Sequence, residues 1–206
     1  MNWKLQTKHL HYNNKYKKNP LVDTLVSEIS KDIAFSGQPK FVIEILKNKT
    51  NLSETQSFYL AYSYLQLGEY SKSAQLLLPL SKLPDSNISK PALYYLGYSY
   101  LRDNKFMNAT EAFIELDKKP VEINDKVIFP GYNDIINKQY VNDWIIAQYN
   151  LDSNYPYKSV IEVAKRKNIF QDNSQNIFNR DTQKFIASLY YNLGKYSEAD
   201  IIYKNL

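Results

Sequence analysis

AYSYLQLGEYSKSAQLL, residues 61–77, repeats its pattern at residues 97–113, GYSYLRDNKFMNATEAF, and again at residues 187–203, ASLYYNLGKYSEADIIY. Ala61, Tyr64, Gly68, Tyr70, Ser73 and Leu77 align with Gly97, Tyr100, Asn104, Phe106, Ala109 and Phe113, and with Ala187, Tyr190, Gly194, Tyr196, Ala199 and Tyr203. The shared steps of +3, +4, +2, +3 and +4 make an internal repeat. Steps of three and four residues bring side chains onto one face of an α-helix. The Gly or Asn between the two helical runs marks a reversal of the chain, because these residues enter left-handed backbone geometry at small steric cost. Each copy reads as a helical hairpin, and the chain as all-α.

Two further copies emerge when those intervals are laid on the rest of the chain. Gln148, Leu151, Tyr155, Tyr157, Val160 and Ala164 keep the spacing, with Trp144 one helical turn upstream. Ser30, Ile33, Gly37, Pro39, Val42 and Leu46 keep it as well, with proline where the other copies have an aromatic ring. The starts advance by 31, 36, 51 and 39 residues, so one interval is much longer than its neighbours. That excess places an insertion near 121–133, containing Ile128, Phe129, Pro130, Gly131 and Tyr132. Helix–helix connections usually run about 2 to 8 residues, so this segment is either a binding loop or a flap on the core. Past it, Ile136, Tyr140, Trp144, Ala147 and Leu151 recur at helical spacing and predict a long helix from about Asp134. A second irregular loop is expected over 168–180.

The pattern resembles the tetratricopeptide repeat, which has a small residue where two helices cross, an aromatic one turn on, glycine at the bend, then aromatic, small and aromatic residues along the second helix. Pro84 and Pro120, each seven residues after the last signature position, sit where that family ends its second helix. The resemblance implies an α-solenoid of about four to five stacked antiparallel hairpins. It also implies a protein-interaction function, with the first helix of each hairpin lining a concave groove. In the family the inward positions lie three before, one after and four after the small crossing residue. Carried onto this chain they are Phe58, Tyr62 and Leu65, then Tyr94, Tyr98 and Leu101 with Arg102 adjoining, then Ile145 and Tyr149, and finally Lys184 and Tyr191. Of these, Tyr62, Leu65, Tyr98, Arg102, Tyr149 and Tyr191 are the expected partner-binding residues.

Tyrosine suits a groove because it offers large contact area at small entropy cost and keeps a hydroxyl for the partner's backbone. The same rings also pack between neighbouring helices, which nineteen tyrosines make inevitable somewhere. Phe58 and Tyr94 are expected to pack, while Tyr62 and Tyr98 fit either reading. Family members that hold a partner's terminal carboxylate do so with inward lysines and asparagines. Here the matching places are mostly aromatic or aliphatic, so an extended or helical peptide with apolar anchors fits better.

Charge narrows the partners further. The first twenty residues hold Lys4, Lys8, Lys15, Lys17 and Lys18 without an acid, and the rest of the chain carries 21 basic against 21 acidic groups. The net charge of +5 is therefore the property of a basic N-terminal tail, residues 1–20. Such a tail is either a solvated terminus, or a dock for an anionic surface at about 1 kcal/mol per lysine, or, through Trp3, Leu5, Leu10 and Tyr12, a helix lying on the first hairpin. The balanced body, residues 21–206, lacks the basic stripe that a nucleic-acid-binding solenoid needs. No run approaches the roughly 18 apolar residues of a membrane span, and the start lacks the apolar centre of a secretory signal. A soluble chain, cytoplasmic rather than secreted, is expected.

Catalytic chemistry finds little to stand on. His9 and His11 are the only histidines, and both lie in the tail, away from the predicted core. The absence of cysteine excludes disulfides and thiolate ligands, and no carboxylate–histidine cluster has ligand spacing. Gly37, Gly68 and Gly194 are taken by bends, Gly97 by a helix crossing and Gly131 by the insertion, which leaves none for a phosphate-cradling loop. No enzyme, cofactor or metal site is expected. Ile201, Ile202, Tyr203 and Leu206 give the last predicted helix an apolar edge with no obvious capping helix, which points to a homo- or hetero-oligomeric contact or to further chain. A second functional reading follows from that edge: a helical accessory region of a larger enzyme, or of an envelope or multisubunit machine.

Overall fold

Left-handed backbone appears where the repeat demands it. Gly37, Gly68 and Gly194 have φ of +76°, +77° and +71°, and Asn104, standing in for glycine, has +58°. At each bend the next amide donates to the carbonyl five residues back: Gln38 to Ile33 at 3.3 Å, and Glu69 to Tyr64, Lys105 to Tyr100 and Lys195 to Tyr190 at 2.9 Å. This closure satisfies carbonyls that a helix end otherwise leaves without partners.

The computed structural model describes residues 20–84, 87–119, 132–151, 156–172 and 176–206. Among them are ten α-helices and no strand. They are α1 (Pro20–Phe35), α2 (Pro39–Leu46), α3 (Glu54–Gln66), α4 (Tyr70–Ser81), α5 (Ser89–Arg102), α6 (Phe106–Lys118), α7 (Tyr132–Leu151), α8 (Pro156–Arg166), α9 (Arg180–Asn192) and α10 (Tyr196–Lys204). Each helix packs on the next, and the first helices of successive hairpins also meet, α1 with α3, α3 with α5 and α5 with α7. Five hairpins stacked in this way are a helical solenoid.

The small positions of the repeat mark close helix crossings. At Gly97 on α5, a Cβ would stand 2.7 Å from Cε1 of Phe113 on α6, so the two helices of the third hairpin approach more closely than any side chain permits. The last signature position is a core position in four of the five copies. Leu46, Leu77, Phe113 and Ala164 are each 0% exposed there, whereas Tyr203, the fifth, is 47% exposed.

Polar clusters reinforce individual junctions. Gln56 is buried between α1 and α3: its Nε2 donates to the Asp23 carbonyl and to Ser27 Oγ, both at 3.1 Å. Its Oε1 accepts from Lys49 Nζ at 2.8 Å and from the Ser53 amide at 3.3 Å, while Ser53 Oγ caps α3 by accepting from the Gln56 amide at 3.2 Å. All four hydrogen-bonding positions of the buried amide are therefore filled. Between the third and fourth hairpins, the Asp117 carboxylate is 4% exposed and pairs with Arg166 and Lys167 from the α8 end. It also accepts from the Tyr140 hydroxyl of α7 at 2.8 Å.

Helix α7 starts two residues earlier than the spacing predicts, at Tyr132. The tail up to residue 19, residue 120 with residues 121–131 of the expected insertion, Tyr155 at the expected fourth bend and 173–175 of the second loop lie outside the described residues. The start of that second loop is regular: Asn168, at φ +57°, closes α8 as the other bends close their helices, with the Ile169 amide donating to the Ala164 carbonyl at 3.0 Å.

Candidate partner-binding face

Aromatic rings run continuously from α1 to α5. Phe35 lies 5.4 Å from Tyr62 and 6.0 Å from Tyr59, and Tyr62 lies 5.2 Å from Tyr95 at a steep interplanar angle of 66°. Tyr95 continues to Tyr94 at 4.9 Å, and Tyr94 to Tyr98 at 6.3 Å. Edge-to-face and tilted contacts of this kind fix the rings against one another and add about 0.5–1.5 kcal/mol per pair beyond burial. The inner members, Phe58, Tyr59 and Tyr94, are buried; Tyr62, Tyr95 and Tyr98 are half-buried and Phe35 is exposed. The result is a rigid strip with one side in the core and the other in solvent.

The expected partner-binding residues divide by environment. Tyr62, Leu65 and Tyr98 are half-buried, with Tyr62 and Tyr98 joined into the aromatic strip. Arg102 is exposed in the last turn of α5, its guanidinium 5.6 Å from the Tyr70 ring centroid. Tyr149 is exposed and meets Phe185 edge-on at 5.2 Å, and Tyr191 is exposed beside Tyr196 at 5.1 Å. Tyr62, Tyr98 and Arg102 thus share one region, while Tyr149 and Tyr191 lie on the fourth and fifth hairpins. Phe58 and Tyr94 are packed, as expected. Leu101 and Ile145, which the family register turns inward, are buried as well.

Phe35 and Tyr95 are missing from the sequence-derived set, yet Tyr95 is the link between two hairpins. Their signal was in the register. The residue one after the small crossing position meets the residue two before it in the next hairpin: Tyr62 with Tyr95, and Tyr149 with Phe185, both at 5.2 Å. The inward offsets of a single hairpin do not contain this pairing, which exists only between neighbours.

Beneath the strip, Asp143 of α7 is buried against α5. It accepts from the Tyr94 hydroxyl at 3.0 Å and from Gln139 Nε2 at 3.2 Å. Burial pushes its carboxyl up to about 6, although the hydrogen bonds from Gln139 and Tyr94 pull the other way. Burial, reinforced by the nearby Asp143 charge, likewise raises the Tyr94 phenol above its ordinary range. A carboxyl raised on folding stabilises the protein only while protonated. Its contribution is fully present below the unfolded value of about 3.9 and is lost as the pH climbs to about 6. Asp143→Asn is therefore expected to gain on the wild type by about 2 kcal/mol between pH 4 and pH 7, most of it below pH 6, in urea denaturation across that range. A constant gap would show that Asp143 ionises freely in the fold.

Among the described residues no group of three or more His, Cys, Asp or Glu side chains has an arrangement that could hold a metal ion, and no helix is long and apolar enough to cross a membrane.

No family model matches the chain, and no curated protein matches it. Among solved structures, MamA AMB-1 aligns over 91% of this chain and 91% of its own, with a TM-score of 0.61 and 16% sequence identity. MamA MSR-1 aligns over 89% of this chain and 93% of its own, with a TM-score of 0.58 and 15% identity. Both likenesses are of fold alone, that of an all-helical solenoid.

Proposed function

We propose that the chain is a noncatalytic protein-interaction scaffold that captures a peptide or partner segment on the aromatic face of its first helices. The observation that carries this reading is the strip Phe35–Tyr62–Tyr95–Tyr98, whose rings are anchored on the core while part of their surface stays in solvent. Rings held in place by their neighbours lose little freedom when a ligand covers them, so most of the burial on binding appears as affinity. The likeness to tetratricopeptide-like solenoids supports a scaffold over an enzyme at the level of fold.

Replacing Tyr62 and Tyr98 together by alanine is expected to abolish partner capture while lowering stability by about 1–2 kcal/mol per half-buried ring. Affinity purification with mass spectrometry, run on wild type and the double variant, checks the first effect, and thermal denaturation checks the second. Undiminished capture by a folded double variant would remove the strip from the binding face. Collapse of the fold would place both rings in the core instead, and the more exposed Tyr149 then supplies the test.

A subunit contact is the second reading, favoured by Tyr203. Its four counterparts are each fully buried, so the half-exposed ring and the neighbouring exposed Ile201 present an apolar seat for a further helix. A scaffold that joins a larger assembly through that seat matches the accessory-region alternative.

A further inference from the structure

We infer that the aromatic strip ends in an anion-recognising guanidinium, Arg102, so that the ligand of this face is a peptide with an acidic side chain beside its aromatic or aliphatic anchors. The inference rests on the interaction reading above and adds the chemistry of the partner.

Arg102 is held without being neutralised. Its guanidinium lies 5.6 Å from the centroid of the Tyr70 ring of α4, and Tyr98 sits one helical turn earlier on the same face of α5. Stacking on an aromatic face restrains the planar fork but leaves its charge unmatched. Among the described residues Arg102 makes no ion pair, in contrast with Arg166, which is paired with Asp117. The nearest acid in sequence, Asp103, is engaged elsewhere: it pairs with Lys105 at 2.7 Å and accepts from Ser71 at 2.8 Å.

Position strengthens the case. Tyr98 ends the ring series from Phe35 and lies one helical turn before Arg102 on α5, so a chain lying along the strip reaches Arg102 at its end. The surrounding charge is complementary to an acid. Of the described residues at offsets three before and one, four and five after the small crossing position, Lys31, Arg102 and Lys184 are the charged ones, and all three are cations. Lys31 has Glu28 as its partner at 4.0 Å, which leaves Arg102 as the cation in contact with the strip. A carboxylate approaching a preorganised guanidinium gains a charge-assisted, bidentate contact that a lone peptide carbonyl does not.

A phage-displayed library of random dodecapeptides selected on the full chain tests this. Wild type is expected to enrich peptides carrying Asp or Glu within a few residues of an aromatic or aliphatic side chain. A synthetic peptide of an enriched sequence is expected to bind Arg102→Gln about tenfold more weakly, with a shallower salt dependence, while the melting temperature is unchanged. Tyr70→Leu, which removes the aromatic face beside the guanidinium, is expected to fall between the two. Enrichment of apolar peptides without an acid, or equal affinity for Arg102→Gln, overturns the inference and leaves the interaction reading intact. Absence of any enrichment on wild type overturns both.

Discussion

Gly97→Ala is expected to lower the free energy of unfolding by about 1–3 kcal/mol, although the same change in an ordinary helix interior gains up to about 1 kcal/mol. The reason is contact. The added methyl would sit 2.7 Å from Cε1 and 3.0 Å from Cδ1 and Cζ of Phe113, inside the range that carbon atoms tolerate. The ring has no exposed surface, so it has no empty side to turn toward. Phe113→Leu alone leaves a cavity and is expected to cost about 1–2 kcal/mol. Because that cavity is where the new methyl points, the double variant Gly97→Ala, Phe113→Leu is expected to lose less than the sum of the single losses. Urea denaturation of the four proteins gives the cycle, and additive losses would mean that the two positions do not meet.

Asp117→Ala is expected to cost about 2–4 kcal/mol, somewhat below the loss for a wholly buried pair because Arg166 is 55% exposed. The variant leaves the Lys167 ammonium and the Tyr140 hydroxyl without the acceptor they share, and the Lys167 side chain is only 19% exposed. Asp117→Asn keeps an acceptor for Tyr140 and is expected to lose less. Burial alone would raise the Asp117 carboxyl, but hydrogen bonds from Lys167 and Tyr140, with the charges of Lys167 and Arg166, outweigh it and hold the group below the ordinary carboxylate value. A carboxyl lowered on folding contributes stability above its unfolded value and loses it on acidification, so the cost of Asp117→Ala is expected to shrink as the pH falls below about 4. Denaturation at pH 7 and pH 3 checks the sign; a cost that grows in acid would refute the pairing.

The hairpins were legible because their signals are local. A glycine or asparagine with positive φ, a small residue at the crossing and rings at three- and four-residue steps all act within one copy, so even the degenerate copy from Ser30 to Leu46 folds as the spacing predicts. Relations between copies were less legible. The contact of Tyr62 with Tyr95 needs two hairpins in register, and Leu101 and Ile145 leave the expected lining because they are buried in the core. Asp117, Arg166 and Lys167 are separated by about fifty residues, and no spacing within a repeat announces that they converge. Gln56 lies between these cases. The Ser53–Gln56 capping box is visible as a helix start, but the reach of Gln56 to Asp23 and Ser27 is tertiary.

The half-exposed Tyr203 also bears on how this chain comes apart. When each hairpin draws its stability from the surface it buries, the hairpin whose last signature side chain stays half-exposed opens at a lower free energy than those whose counterparts are fully buried. Amide protons of α9 and α10 would then exchange with solvent ahead of those in α4 to α6, so the molecule unravels progressively instead of melting at once. A helix seated on Tyr203 would even out that gradient, so its arrival could be read from slowed exchange far from the aromatic strip.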